Sequence, residues 1–68
     1  MGMGEAIREY ISQRPFSPFR VILPESIVFK VDAPDAATVD ESGEVLEVMD
    51  RGQRILINIR AILYVSPA

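Results

Sequence analysis

From Arg54 to Pro67 the chain is a nearly unbroken run of β-branched and apolar residues. Ile55, Ile57 and Ile59 alternate with Leu56, Asn58 and Arg60; Ala61-Ile62-Leu63-Tyr64-Val65 then places apolar side chains at both parities. A strand with one wet face alternates apolar and polar residues, so apolar residues on both faces require cover on both. A chain of 68 residues has little of its own with which to cover a second face. A second copy of the chain is the simplest cover. The run predicts a small β-rich domain that self-associates.

Other routes to stability are few. A single domain over residues 1–68 sits near the lower size limit for independent folding, where disulfides, a metal or oligomerisation usually assist. The chain has neither Cys nor His, which excludes disulfides and removes the commonest metal ligands, so no metal site is expected. Oligomerisation is left, and a hydrophobic content of 49% favours it.

The net charge of −3 argues against a dedicated nucleic-acid binder, which carries a basic balance. Six of the seven basic residues are Arg, the exception being Lys30; Arg suits ion pairs with carboxylates and, second to that, phosphate contacts. No stretch approaches the roughly 20 apolar residues that a membrane crossing needs. The N-terminus lacks the pattern of a secretory signal, and Ala6 stands where myristoylation wants Ser or Thr. A cytoplasmic protein without membrane contact is the expectation.

Gly4 to Arg14 reads as a helix with a narrow apolar stripe at Ile7, Tyr10 and Ile11, extended by Met3 and stopped by Pro15. Arg14-Pro15-Phe16-Ser17-Pro18-Phe19-Arg20 is a hinge into the sheet, two prolines stiffening it and two phenylalanines anchoring it. Strands are predicted over Phe19 to Leu23, Ile27 to Val31, Ala37 to Asp40, Glu44 to Asp50, Arg54 to Ile59 and Ile62 to Val65. Pro24-Glu25-Ser26 is a tight turn, with proline presetting its first central position. Asp50-Arg51-Gly52-Gln53 is a hairpin turn whose Gly supplies a positive φ. A kink is expected at Arg60-Ala61, since one twelve-residue strand would exceed the usual length. Such short strands, whose edges must be managed, suggest a small bent barrel of five or six strands over residues 19–67, of SH3 or OB kind, capped by the helix.

Two resemblances follow. The Arg-Pro-Phe-Ser-Pro-Phe-Arg hinge, the Val21-Ile22-Leu23 strand and the ending from Ile62 to Pro67 resemble a group of short bacterial proteins of uncharacterised function. In that group an Asp-Gly type turn commonly follows the first strand, where Glu25-Ser26 stands here. The order of elements is also similar to the Sm-like fold, including its bacterial Hfq branch. Ile59-Arg60-Ala61 before an apolar strand resembles the second Sm motif, with Ala61 where the motif has Gly. Phe29-Lys30-Val31 with Asp35 resembles part of the first, with Phe29 where that motif has Gly and no counterpart to its base-contacting Asn. This resemblance implies a barrel whose subunits join by edge strands into a homo-oligomeric ring. Among the positions by which the family binds RNA, Asp35 and Arg60 are kept, and the Lys-His pair of the Hfq branch falls on Ile59-Arg60.

Catalytic machinery is not expected. Without His or Cys the five serines have no evident base, and Lys30 on a half-buried strand reads as a wet-face residue. Asp32 and Asp35 flank Pro34 as turn-capping residues. Asp40, Glu41 and Glu44 make a solvated acidic turn without the oxygen spacing of a calcium loop. No phosphate loop or dinucleotide fingerprint is present, and no cofactor is expected. Arg60 beside Asn58 is the best binding pair, with Asp35 in support, and a rim salt bridge is the plainer use of Arg60. For self-association, the paired edges are expected from Glu44 to Asp50 and from Ile62 to Val65, through Leu46, Val48, Ile62, Tyr64 and Val65. The function expected is a non-enzymatic, self-assembling module that adapts to another protein; the alternative is an Sm-type RNA-binding ring.

Overall fold

The structure, a computed structural model, describes residues 2–68. Helix α1 (Met3–Ser12) precedes six strands: β1 (Phe19–Ile22), β2 (Val28–Val31), β3 (Ala37–Val39), β4 (Val45–Asp50), β5 (Gln53–Asn58) and β6 (Tyr64–Pro67). They form two three-stranded antiparallel sheets, ordered β2-β1-β6 and β3-β4-β5. The chain is therefore mainly β with one N-terminal helix. No strand pair among the described residues joins the two sheets, so ladder pairing does not close the barrel expected from the sequence.

Helix α1 forms because Met3, Ile7, Tyr10 and Ile11 fall on one face, and Ile7 is fully buried. It ends at Ser12, two residues before the sequence expectation. Arg14 lies beyond it and folds its guanidinium back onto the carbonyls of Ile11 (3.4 Å) and Gln13 (2.7 Å), groups that a helix end leaves unpaired. At the other end Gly4 lies directly on the backbone of Gly43. The Arg8 guanidinium reaches the carbonyls of Asp40 and Glu41 in the same turn. The helix is thus fastened to the β3–β4 connection, and Tyr10 stacks on Phe19.

Alternation then builds the core. Phe19 and Val21 from β1, Val31 from β2, Ala37 from β3, Leu46 and Val48 from β4 and Ile57 from β5 point inward and meet Ile7. The kink expected at Arg60-Ala61 is a 3₁₀ turn, Ile59–Ala61, which begins one residue earlier and is closed by Ile62 N–H to Ile59 C=O at 3.1 Å. That turn drops both Ile59 and Ile62 into the core, so β6 starts two residues later than the apolar pattern suggests.

The β1–β2 turn differs from its expected form. Pro24 precedes the central pair instead of occupying its first place, and Glu25 (φ 65°) and Ser26 (φ 64°) are the central residues. Positive φ at both is the type I′ geometry, which matches strand twist but favours Asn-Gly. Two L-residues with Cβ atoms are strained there. Replacing both (Glu25→Asn with Ser26→Gly) is expected to stabilise the chain by about 1–2 kcal/mol. A higher urea midpoint at unchanged slope is the expected reading; an unchanged or lower midpoint would contradict it. The Asp50–Gln53 turn has the same geometry, with Arg51 at φ 53° and Gly52 at φ 79°.

Asp40 organises the β3–β4 turn. Its carboxylate accepts from the Ser42 hydroxyl (2.8 Å) and from the backbone N–H groups of Glu44 (3.0 Å) and Val45 (3.1 Å). The Ser42 hydroxyl, followed by the Val45 N–H, holds the Asp40 carboxyl below its ordinary value of 3.8. A lowered native pKa gives stability that is present above pH 3.8 and is lost as pH falls through the native value. Asp40→Asn is therefore expected to be less stable than the wild type at pH 6, with the gap narrowing at pH 3. A gap that stays constant between the two would contradict this role.

Candidate functional site

Two of the four end strands, β5 and β6, stand beside exposed apolar side chains from the end of the chain. In the β4–β5 hairpin, Ile59 N–H donates to Glu44 C=O at 2.9 Å. Antiparallel alternation from that bond turns the backbone groups of Ile57 and Ile55 toward β4 and those of Asn58, Leu56 and Arg54 toward the open side. On the other sheet, Ala68 N–H donates to Pro18 C=O at 3.1 Å, and the same reasoning leaves the backbone of Val65 facing outward along β6. Large apolar side chains stand exposed on these two strands and just before β6: Leu56 at 66%, Leu63 at 58% and Tyr64 at 54%. They are the residues of the apolar run that the core does not take.

Beside β5 lies an open groove of about 340 Å³ lined by Glu44, Val45, Leu56, Ile57, Asn58 and Arg60. The Asn58 side-chain carbonyl accepts from Arg60 N–H at 3.0 Å and so caps the 3₁₀ turn. This bond occupies the amide oxygen. Arg60 is solvent-exposed and sits 3.7 Å from the Glu44 carboxylate. An exposed pair at that separation contributes little stability, but it balances the charge of the groove.

The structure brings Asn58 and Arg60 together as expected. Asp35 lies apart, in the 3₁₀ turn Pro34–Ala36 between the sheets, and does not line the groove. The expected interface residues divide. Leu46, Val48 and Ile62 are core side chains, so they are unavailable to a partner. Strand β4 is the centre of its sheet with both edges paired, which corrects the expectation that Glu44 to Asp50 forms an outer edge. Tyr64 is exposed and Val65 is half-buried against the core, both on the true edge β6. Leu56 lies outside the expected interface set, yet it is the most exposed large apolar side chain of β5. Its signal was present: it is a large apolar residue at the wet parity, between Arg54 and Asn58.

Among the described residues no three acidic side chains converge as metal ligands would. Lys30 is exposed on the wet face of β2 and pairs with Asp32 at 3.4 Å, and Arg54 pairs with Glu47 at 2.9 Å. No helix among the described residues is long and apolar enough to cross a membrane. No family model, curated protein or solved structure matches the chain.

Proposed function

We propose that this chain is a non-enzymatic, cytoplasmic interaction module of the Sm-like small-barrel kind. Copies assemble head to tail, the β5 edge of one against the β6 edge of the next, and the assembly serves as an adaptor for other proteins. The observation that carries the reading is that two unlike end strands, β5 and β6, each stand beside exposed large apolar residues: Leu56 on one, Leu63 and Tyr64 at the other. Unlike edges at opposite ends of the strand order make a heterologous interface, which closes into a ring when the rotation between subunits permits.

The strand order supports the barrel. β2 and β3 are consecutive in the chain, are separated only by the Pro34–Ala36 turn and its flanks, and each ends its sheet. β2 also touches β4, the partner of β3. Read through that break, the order runs β6-β1-β2/β3-β4-β5 as one curved sheet with β5 and β6 at its ends. A 3₁₀ turn joins those two end strands, similar to the Sm-like order of elements.

A second reading keeps RNA as the ligand, and the observation that favours it is that Asn58 and Arg60 share one groove. Glu44 counts against it, because a carboxylate 3.7 Å from the only groove cation repels a phosphate. Salt separates the two. Binding through phosphate weakens steeply with added salt, whereas apolar edge pairing does not.

Leu56→Lys is the direct test of assembly, since a lysine on an edge strand blocks further pairing. Light scattering is expected to show a multiple of 7.6 kDa for the wild type and a folded monomer for the variant. A variant that assembles as the wild type does would overturn the β5 edge as the contact.

A further inference from the structure

We propose that the outward face of the β2-β1-β6 sheet docks an acidic amphipathic helix of a partner protein. The proposal names the partner chemistry for the adaptor role above and rests on that part of the reading. It does not require edge pairing, although Leu63 and Tyr64 belong to both surfaces.

The register places the outward side chains in two rows across the three strands. Val28, Ile22 and Tyr64 form one; Lys30, Arg20 and Ser66 form the next. The alternate residues Phe19, Val21 and Val31 point into the core, so these two rows face away from it. Val28 is 50% exposed, and Leu63 adjoins the apolar row through its N–H bond to Ile22 C=O at 2.8 Å.

Charge is segregated on this sheet. The chain has ten acidic residues and a net charge of −3, yet β1, β2 and β6 contain Arg20 and Lys30 and no acidic residue. Asp32, just past the end of β2, lies 3.4 Å from Lys30 and offsets part of its charge. Elsewhere four of the five basic side chains are engaged, Arg8 and Arg14 with backbone carbonyls, Arg54 with Glu47 and Arg60 with Glu44, while Arg51 stands alone in the β4–β5 turn without an apolar row beside it. Arg20 has no ion-pair partner among the described residues.

An apolar row beside a basic row selects a partner that is apolar on one stripe and acidic along its flank. Three strands at about 4.8 Å spacing present a row about 10 Å across, the length of roughly two helical turns. A helix lying along the row would set residues at i, i+3 and i+7 on Val28, Ile22 and Tyr64. Two cations are too few for an anionic membrane surface or a nucleic-acid backbone, which take clusters of about four or more.

The test is a ¹⁵N NMR titration of the full chain with a designed 18-residue helical peptide bearing one leucine stripe flanked by glutamates. The same peptide with lysines in place of the glutamates is the control. Shifts confined to the two rows are expected, with the lysine-flanked peptide at least about tenfold weaker. Arg20→Glu with Lys30→Glu, its fold checked by circular dichroism, is expected to weaken the glutamate-flanked peptide by a similar factor. Equal binding of both peptides, no shift on this face, or a stronger response of the same residues to phosphatidylserine vesicles or oligouridine would overturn the proposal. Light scattering on the same samples reads assembly separately. A monomer that binds the peptide supports the docking face while contradicting self-assembly; because Leu63 and Tyr64 stand on both surfaces, an assembly that ignores the peptide is retested as the Leu56→Lys monomer, and no shift on this face there contradicts docking.

Discussion

Phe19→Ala is expected to leave most of the chain unfolded at ambient temperature. Phe19 is fully buried at the centre of the β2-β1-β6 sheet, opposite Val31 on one side and Pro67 on the other. Its ring stacks on Tyr10 of α1 at 5.1 Å and on Phe16 of the hinge at 6.1 Å. One side chain thus ties helix, hinge and sheet together. Truncating a buried Phe costs about 3–5 kcal/mol, and the aromatic pairs add about 0.5–1.5 kcal/mol each. A chain of this length has roughly 3–10 kcal/mol in total. The loss therefore consumes most or all of the margin. Leu56→Ala, at an exposed site, is the contrast and should change monomer stability by no more than about 0.5 kcal/mol. Far-ultraviolet circular dichroism with urea unfolding reads both. A cooperative Phe19→Ala transition near the wild-type midpoint would mean that the hinge aromatics are peripheral.

Gly4→Ala is expected to destabilise the protein, against helix propensity. Inside a helix, Gly to Ala normally gains about 0.5–1 kcal/mol. Here an added Cβ would lie 2.7 Å from the Gly43 carbonyl oxygen and 3.2 Å from its Cα. The obstacle is backbone, which cannot rotate away as a flexible side chain does. Gly43 is itself held at φ 76° in the turn that Asp40 organises. Overpacking of this kind costs about 1–3 kcal/mol, so a net loss of about 1–2 kcal/mol remains. In a domain this small that lowers the melting temperature by at least about 4 °C. A melting temperature equal to or above that of the wild type would show that the start of α1 does not rest on the β3–β4 turn in solution.

Local features were the most legible from the sequence. The Ile7, Tyr10 and Ile11 stripe placed α1, the Gly52 turn placed the β4–β5 hairpin, and the length of the apolar run placed a break at Arg60-Ala61, within the 3₁₀ turn Ile59–Ala61. Each of these depends on neighbours within a few residues, which periodicity and turn chemistry encode. Strand order does not follow from such signals. Leu46 and Val48 carry the same alternation whether β4 is central or at an edge, and only the pairing on both sides shows that it is central. Pro24 looked like the first central residue of its turn, because Glu25-Ser26 carries no Asn-Gly signature for the mirror-image geometry found. Ile62 looked like part of the last strand until the 3₁₀ turn committed it to the core. Of the site, Asn58 and Arg60 were legible as a close pair. The groove was not, because Glu44 and Leu56 join it through the register of two strands.

Native mass spectrometry of the untagged chain, as purified, tests self-assembly most directly. A ring or other closed set of several 7.6 kDa copies is expected, with a mass that does not change on ribonuclease treatment. Mass lost to ribonuclease would move the groove of Asn58 and Arg60 to RNA. A bare monomer at micromolar concentration would contradict self-assembly and leave Leu56, Leu63 and Tyr64 as the surface of an isolated adaptor.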